Sequence, residues 1–184
     1  MPFVAAAAAA FVYATQSGKP ADKDVSSHAD ASARPTSQAA AVPLDGILDD
    51  LVSLHKSPLP PEVTAQDEVR KFDPFVGVPV EPPKFQAFGA QWMGGRVLPI
   101  RSSRAAMLQY AMGGGHRVTV YVYDAKRVKQ ESHTLLPLMV RNRPVLSGNV
   151  AGVNIAAVER RGVGYAVATD LGERESVELA AASE

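Results

Sequence analysis

The chain has 184 residues, 19 of them basic and 19 acidic, and no cysteine. Zero net charge offers no field to gather nucleic acid or a strongly anionic lipid surface, so no nucleic-acid partner is expected. The lack of thiols excludes disulfides, thiolate zinc sites, iron–sulfur clusters and cysteine nucleophiles, and it leaves the redox compartment open.

The chain begins with an apolar stub, residues 1–14, in which Pro2-Phe3-Val4, six alanines (Ala5 to Ala10) and Phe11-Val12-Tyr13-Ala14 follow Met1. From Pro2 to Ala14 a helix would cover only about 20 Å of a hydrocarbon core about 30 Å thick. No Lys or Arg precedes the run, so it also lacks the basic start of a secretory signal. Two readings fit it. The preferred one is the remainder of a transmembrane helix whose earlier residues precede Met1, and the other is an ordinary alanine-rich soluble helix. Residues 15–41 are mostly Ser, Ala, Asp, Lys, Gln, Pro and Thr, with no Leu, Ile, Phe or Trp. So little apolar surface cannot offset the entropy lost on ordering, and a flexible tether is expected.

Residues 42–184 read as one folded domain, long enough to bury a real core. Asp45 to His55 places Ile47, Leu48, Leu51, Val52 and Leu54 largely on one helical face, with Asp45 as the expected N-cap. Pro58, Pro60 and Pro61 end that helix. Thr64 is the expected cap of a second short helix, Ala65 to about Phe75, buried through Val69, Phe72 and either Phe75 or Val76. Val78 to Val80 is a short extended piece between prolines.

The best strand signals follow. Gln91 to Ile100 carries Gly94-Gly95 inside, which predicts a bulge or a close backbone approach. Ala105 to Met112 sets Ala106, Leu108 and Tyr110 against Met107, and His116 to Asp124 alternates Val118, Val120 and Val122 with Thr119, Tyr121 and Tyr123. Gly113-Gly114-Gly115 joins these two as a hairpin, since glycine supplies positive φ. Ala125 to Val150 is weakly patterned, with room for one short strand or helix around Leu135 to Val140. Asn154 to Glu159 and Val163 to Thr169 form a second hairpin around Arg160-Arg161-Gly162. Glu173 to Ala181 is the last helix, buried through Val177, Leu179 and Ala180. The fold class expected is α+β: a mostly antiparallel five-stranded sheet with helices on one side, preceded by an apolar N-terminal helix and a disordered tether.

Chemistry-bearing patterns are sparse. Gly113-Gly114-Gly115 and Gly162-Val163-Gly164 lie between strands, whereas a phosphate cradle needs a helix N-terminus behind it. Ser147-Gly148 sits in no nucleophile elbow. His28, His55, His116 and His133 are far apart and have no metal-ligand spacing. Arg141-Asn142-Arg143 and Arg160-Arg161 read as solvated loop charges, and Trp92 as core. No catalytic, cofactor-binding or metal-binding residue is assigned, and no enzyme activity is expected.

The order of segments carries more than any site. It runs Leu48 to His55 with Leu59 to Thr64, then Gly89 to Ile100, then Ala105 to Tyr110 with His116 to Val122. Asn154-Ile155-Ala156, Arg161 to Val167 and Asp170-Leu171 complete it. In this order the chain resembles the extracytoplasmic domain of bacterial single-pass transmembrane anti-sigma factors, over roughly Asp45 to Leu179. The resemblance implies a regulatory, non-catalytic outer domain in the periplasm, anchored in the inner membrane by a single helix. It also implies a sigma factor as partner, held by a cytoplasmic zinc-binding region that this chain does not contain, so no residue here takes that role. A periplasmic protein or protease is a further expected partner. The alternative is a membrane-tethered periplasmic binding module unrelated to transcription.

Overall fold

The computed structural model describes residues 40–101 and 103–183. The apolar stub, almost all of the tether, and His28 lie outside the described residues. In chain order the elements are β1 (Val42–Pro43), a 3-10 turn (Leu44–Ile47), α1 (Leu48–Lys56), a 3-10 stretch (Gln66–Phe72) leading into α2 (Asp73–Val76), and a 3-10 turn (Gln86–Phe88). Then come β2 (Gln91–Ile100), β3 (Ser103–Ala111), β4 (Arg117–Asp124), β5 (Val128–Lys129), β6 (Leu136–Val140), β7 (Arg143–Val150), β8 (Val153–Arg160), β9 (Val163–Thr169) and α3 (Glu173–Ala181).

The α+β class with a large antiparallel sheet is found, but the sheet has seven strands where five were expected. Its order is β2-β3-β4-β9-β8-β7-β6, and every neighbouring pair is antiparallel. The additional strands are β6 and β7, from the segment read as weakly patterned. Separately, β1 and β5 pair in parallel, Val42 with Val128. Gly113–Gly115 joins β3 to β4 as expected, with φ of 75° at Gly114 and 82° at Gly115.

Turns with two central residues at positive φ connect β6 to β7 (Arg141 48°, Asn142 64°), β7 to β8 (Ala151 49°, Gly152 84°) and β8 to β9 (Arg161 51°, Gly162 81°). This conformation matches the right-handed twist of the flanking strands. At Gly162 an added Cβ would meet nothing within 4 Å, so any cost of a side chain there is purely backbone. Gly162→Val should therefore lower stability by about 1–3 kcal/mol. Arg161→Ala keeps an L side chain at positive φ in place of another, so it should be nearly neutral. Urea midpoints of the two variants check this, and equal losses would contradict the turn geometry.

Helices cover both faces of the sheet, which corrects the expectation of helices on one side. Val118, Val120 and Val122 of β4 share a core with Leu108, Val167, the 3-10 residues Val69 and Phe72, Val76 of α2, and Val177 and Leu179 of α3. Tyr121 and Tyr123 share the opposite core with Met107, Ile155, Ala166 and the α1 residues Leu48, Leu51 and Val52. The physical reason lies in the tyrosines. Their rings bury large apolar areas, and Tyr121 donates its hydroxyl to the Leu51 carbonyl at 2.9 Å, so a strand face that reads as half polar is fully covered.

Two expected caps are replaced by other contacts. Thr64 gives no cap, since Ala65 stands at the N-cap of a 3-10 stretch without a side-chain bond. Of its expected stripe, Val69, Phe72 and Val76 are buried, while Phe75 is exposed. Nor does Asp45 cap α1. Its carboxylate accepts hydrogen bonds from the Ser132 hydroxyl and from the His133 N–H at 2.7 Å, which ties the connection after β5 to the start of α1. Burial opposes ionisation of Asp45, but these bonds outweigh it and hold the carboxyl below its usual range.

The two edges of the sheet are finished differently. Alongside β2, the N–H groups of Glu62 and Val63 donate to the Gly95 carbonyl at 2.8 and 3.0 Å, and the Gly95 N–H returns a bond to Val63 O at 2.9 Å. Glu62 then accepts from the Val97 N–H at 3.1 Å and from Arg96 at 3.1 Å, and Arg96 also donates to the Pro60 carbonyl at 2.7 Å. At β6 the other edge carries exposed Leu136, Leu138 and Met139. Pro137 guards that edge, because it brings no N–H for a further strand to use.

Candidate functional site

The most distinctive surface lies where the β6–β7 and β8–β9 turns approach the end of α3. The β7–β8 pairing ends at Leu146↔Ala157, and beyond it Arg143 and Arg160 lie close together on the same cavity. Like charges held close together repel. Arg161 follows at the first position of its turn and is exposed, whereas Arg143 and Arg160 are half-buried and make contacts within the protein. A cavity of about 240 Å³ opens among these three arginines, with Val158, Ala180 and Ala181 in its wall. A second, of about 370 Å³, shares Arg160 and Arg161 and is lined further by Pro79, Glu81, Val163 and Tyr165. Burial, then Arg143 and Arg161, push the Arg160 guanidinium below its usual value. Of the two basic stretches read as separate solvated loops, Arg143 from the first and Arg160 and Arg161 from the second thus meet in one cluster, while Arg141 pairs with Glu178.

A polar cluster sits where α1 ends against the start of β4 and the end of β9. The His55 ring is buried, with Nδ1 and Thr119 Oγ1 hydrogen-bonded at 2.9 Å. Arg117 donates a guanidinium N–H to the His55 carbonyl at 3.0 Å, and its backbone N–H donates to Asp170 at 3.0 Å. His116 Nδ1 is 3.4 Å from the same Asp170 carboxylate. This arrangement joins helix to sheet, with His55 and Thr119 buried and His116 and Asp170 partly exposed. The third described histidine, His133, is exposed in the connection before β6 and contributes its backbone N–H to Asp45.

The cluster has a consequence for acid stability. Burial is the main cause that lowers the His55 pKa; Asp170 opposes it, and Arg117 and Lys56 add to it. Below the ordinary histidine value of about 6.5 the unfolded chain takes up a proton that the folded chain refuses, so stability should fall as pH drops through that value. Asp45 and Asp170, whose carboxyls are held low, keep their contribution until pH falls below the carboxylate range. The slope between about pH 7.5 and about pH 5.5 should then report His55, and His55→Gln should flatten it. Urea midpoints at both pH values check this, and an unchanged slope in the variant would reject it.

A third feature is the groove between β6 and α3, lined by Leu138, Met139, Val140, Glu173, Arg174 and Val177 among others. Arg141 closes one end, donating to Glu178 at 2.6 Å. Trp92 lies partly buried at the opposite edge, edge-on to Tyr110, and donates its indole N–H to Thr64 O at 2.7 Å. Ser147 is buried on β7, its hydroxyl in a long contact of 3.4 Å with Glu173.

Among the described residues, no group of three or more His, Asp or Glu side chains is placed to hold a metal ion. No helix among them is long and apolar enough to cross a membrane. Compared with family models, with curated proteins and with solved structures, the chain matches none.

Proposed function

We propose that this domain is the outer, non-catalytic part of a membrane-bound anti-sigma factor, displayed in the periplasm on a tether from a single inner-membrane helix. What supports the reading is the ordered set of segments described above. Those segments supply α1, the chain that closes the β2 edge, the β2–β3–β4 meander and the β8–β9 hairpin. On this reading they are scaffold residues, and the likeness lies in the order in which the domain is built rather than in a site. In this role the domain receives a signal or shields the tether from proteolysis. The sigma factor is held by a cytoplasmic region that this chain does not contain, and a periplasmic protein or protease is the partner of the outer domain.

The test is genetic. The DNA upstream of the Met1 codon should encode, in frame, a membrane segment and a His-x-x-x-Cys-x-x-Cys motif, beside a sigma-factor gene. Deleting codons 42–184 from the full-length gene should change transcription from that sigma factor's promoters. A stop codon directly upstream, with no sigma-factor neighbour and no effect on such a reporter, would leave the tethered binding module as the better reading.

A further inference from the structure

The two cavities that meet at Arg160 and Arg161 combine cationic walls with apolar floors. The smaller is lined by the three arginines together with Val158, Ala180 and Ala181, and the larger by Arg160 and Arg161 together with Pro79, Val163 and Tyr165. At about 240 and 370 Å³ the spaces lie at or below the small end of ligand pockets, so they suit a few heavy atoms of a small ligand or a peptide end, not a folded partner.

Charge selects the ligand further. Arg143, Arg160 and Arg161 line one small cavity, and this local gathering of positive charge favours an entering anion. The guanidinium fork presents paired donors that match a carboxylate or a phosphate. Glu159 borders the smaller cavity and Glu81 the larger, and both disfavour a dianion more than a monoanion. The apolar floors favour a carbon body attached to the acid over a bare inorganic ion. Because Arg143 and Arg160 also contact groups within the protein, a ligand shares or displaces those contacts. Arg161, exposed on the turn, is the arginine best placed to close over the acid.

We propose that the Arg143–Arg160–Arg161 pocket binds a monocarboxylate carried on an apolar body, either the C-terminal end of a peptide or a small apolar organic acid. The inference does not rest on the anti-sigma reading and goes beyond it. It can be tested by titrating isotope-labelled protein, residues 1–184, with an N-acetylated Ala-Leu-Phe tripeptide, its C-terminal amide, 3-phenylpropionate and inorganic phosphate, followed by amide chemical shifts.

Saturable shifts at Val158, Arg161, Ala180 and Ala181 are expected with one or both organic acids, and the peptide amide should bind at least about tenfold more weakly than the acid. Response to the tripeptide alone assigns the peptide source, and response to phenylpropionate alone assigns the small acid. Arg161→Asn keeps a residue that tolerates positive φ while removing the charge, and it should weaken binding by about tenfold. Arg174→Gln, on the exposed side of α3, should not. The proposal is overturned if no probe saturates in the millimolar range, if acid and amide bind alike, if phosphate binds as well as the organic acids, or if the two arginine variants behave the same.

Discussion

Gly164→Ala should cost about 3 kcal/mol, a large share of the 5–15 kcal/mol that holds a typical domain together. Gly164 pairs with Tyr123 across β9 and β4, and the tyrosine ring lies over the glycine. A Cβ built there would stand 2.0 Å from Tyr123 Cε2, 2.4 Å from Cζ and 2.6 Å from Cδ2. The ring has nowhere to go, since Tyr123 is 1% exposed and packed among Tyr121, Met107 and Ile155. Its hydroxyl finds no hydrogen-bond partner among the described residues, so the ring is held by packing alone. A double-mutant cycle with Tyr123→Leu identifies the cause. If the clash is with the ring, the two changes should be coupled by more than about 1 kcal/mol, and additive losses would place the strain elsewhere.

Gly162 and Gly164 are two residues apart and are required for opposite reasons. At Gly162 space is open and the backbone sits at φ 81°, while Gly164 meets a wall and lies outside the positive-φ set. The first requirement was legible in the sequence, because an Arg-Gly turn between two β-rich runs announces its geometry. The second was not, because it depends on which residue of β4 lies opposite, and register is a tertiary fact. The same distinction governs the arginines, whose meeting at one cavity follows from the tertiary fold and not from spacing.

The strand β7 was illegible, and β6 was legible only as one of two options around Leu135 to Val140, for local reasons. Leu136-Pro137-Leu138-Met139-Val140 does not alternate and none of it is fully buried, while β7 contains Pro144 and Gly148 and buries only Val145 and Ser147. One signal was present in the chain. Arg141-Asn142, Ala151-Gly152 and Arg161-Gly162 recur at ten-residue intervals, a spacing that suits successive hairpins. Two of the three turns begin with arginine and the other with alanine, residues with no preference for positive φ, and this hides them. Conversely, the strands β2, β3, β4, β8 and β9 and the helices α1 and α3 were readable because each shows its period in a run long enough to count.

Gly94→Ala is expected to be the second most damaging change, again by about 3 kcal/mol, and to act on an edge rather than the centre of the sheet. The β2–β3 register shifts between Trp92 and Gly94, and Gly94 takes φ 142°, which L side chains rarely adopt. This is the irregularity that Gly94-Gly95 led us to expect. The bend lets the segment from Pro60 to Val63 close on the strand, and a Cβ on Gly94 would lie 2.5 Å from Pro61 Cβ and 2.6 Å from the Val63 carbonyl oxygen. Backbone strain and collision therefore add at one position. To admit the methyl group the segment must lift, which breaks the exchange of hydrogen bonds between Val63 and Gly95 and removes Glu62 from Arg96 and the Val97 N–H. The β2 edge would then expose unpaired backbone groups, the condition that promotes strand-to-strand association. Gly94→Ala should accordingly lower the urea midpoint, speed amide exchange at Gly95 and Val97, and increase self-association at high concentration. A loss of stability without faster exchange at those two amides would show that the segment stays in place and that the strain is confined to the bend.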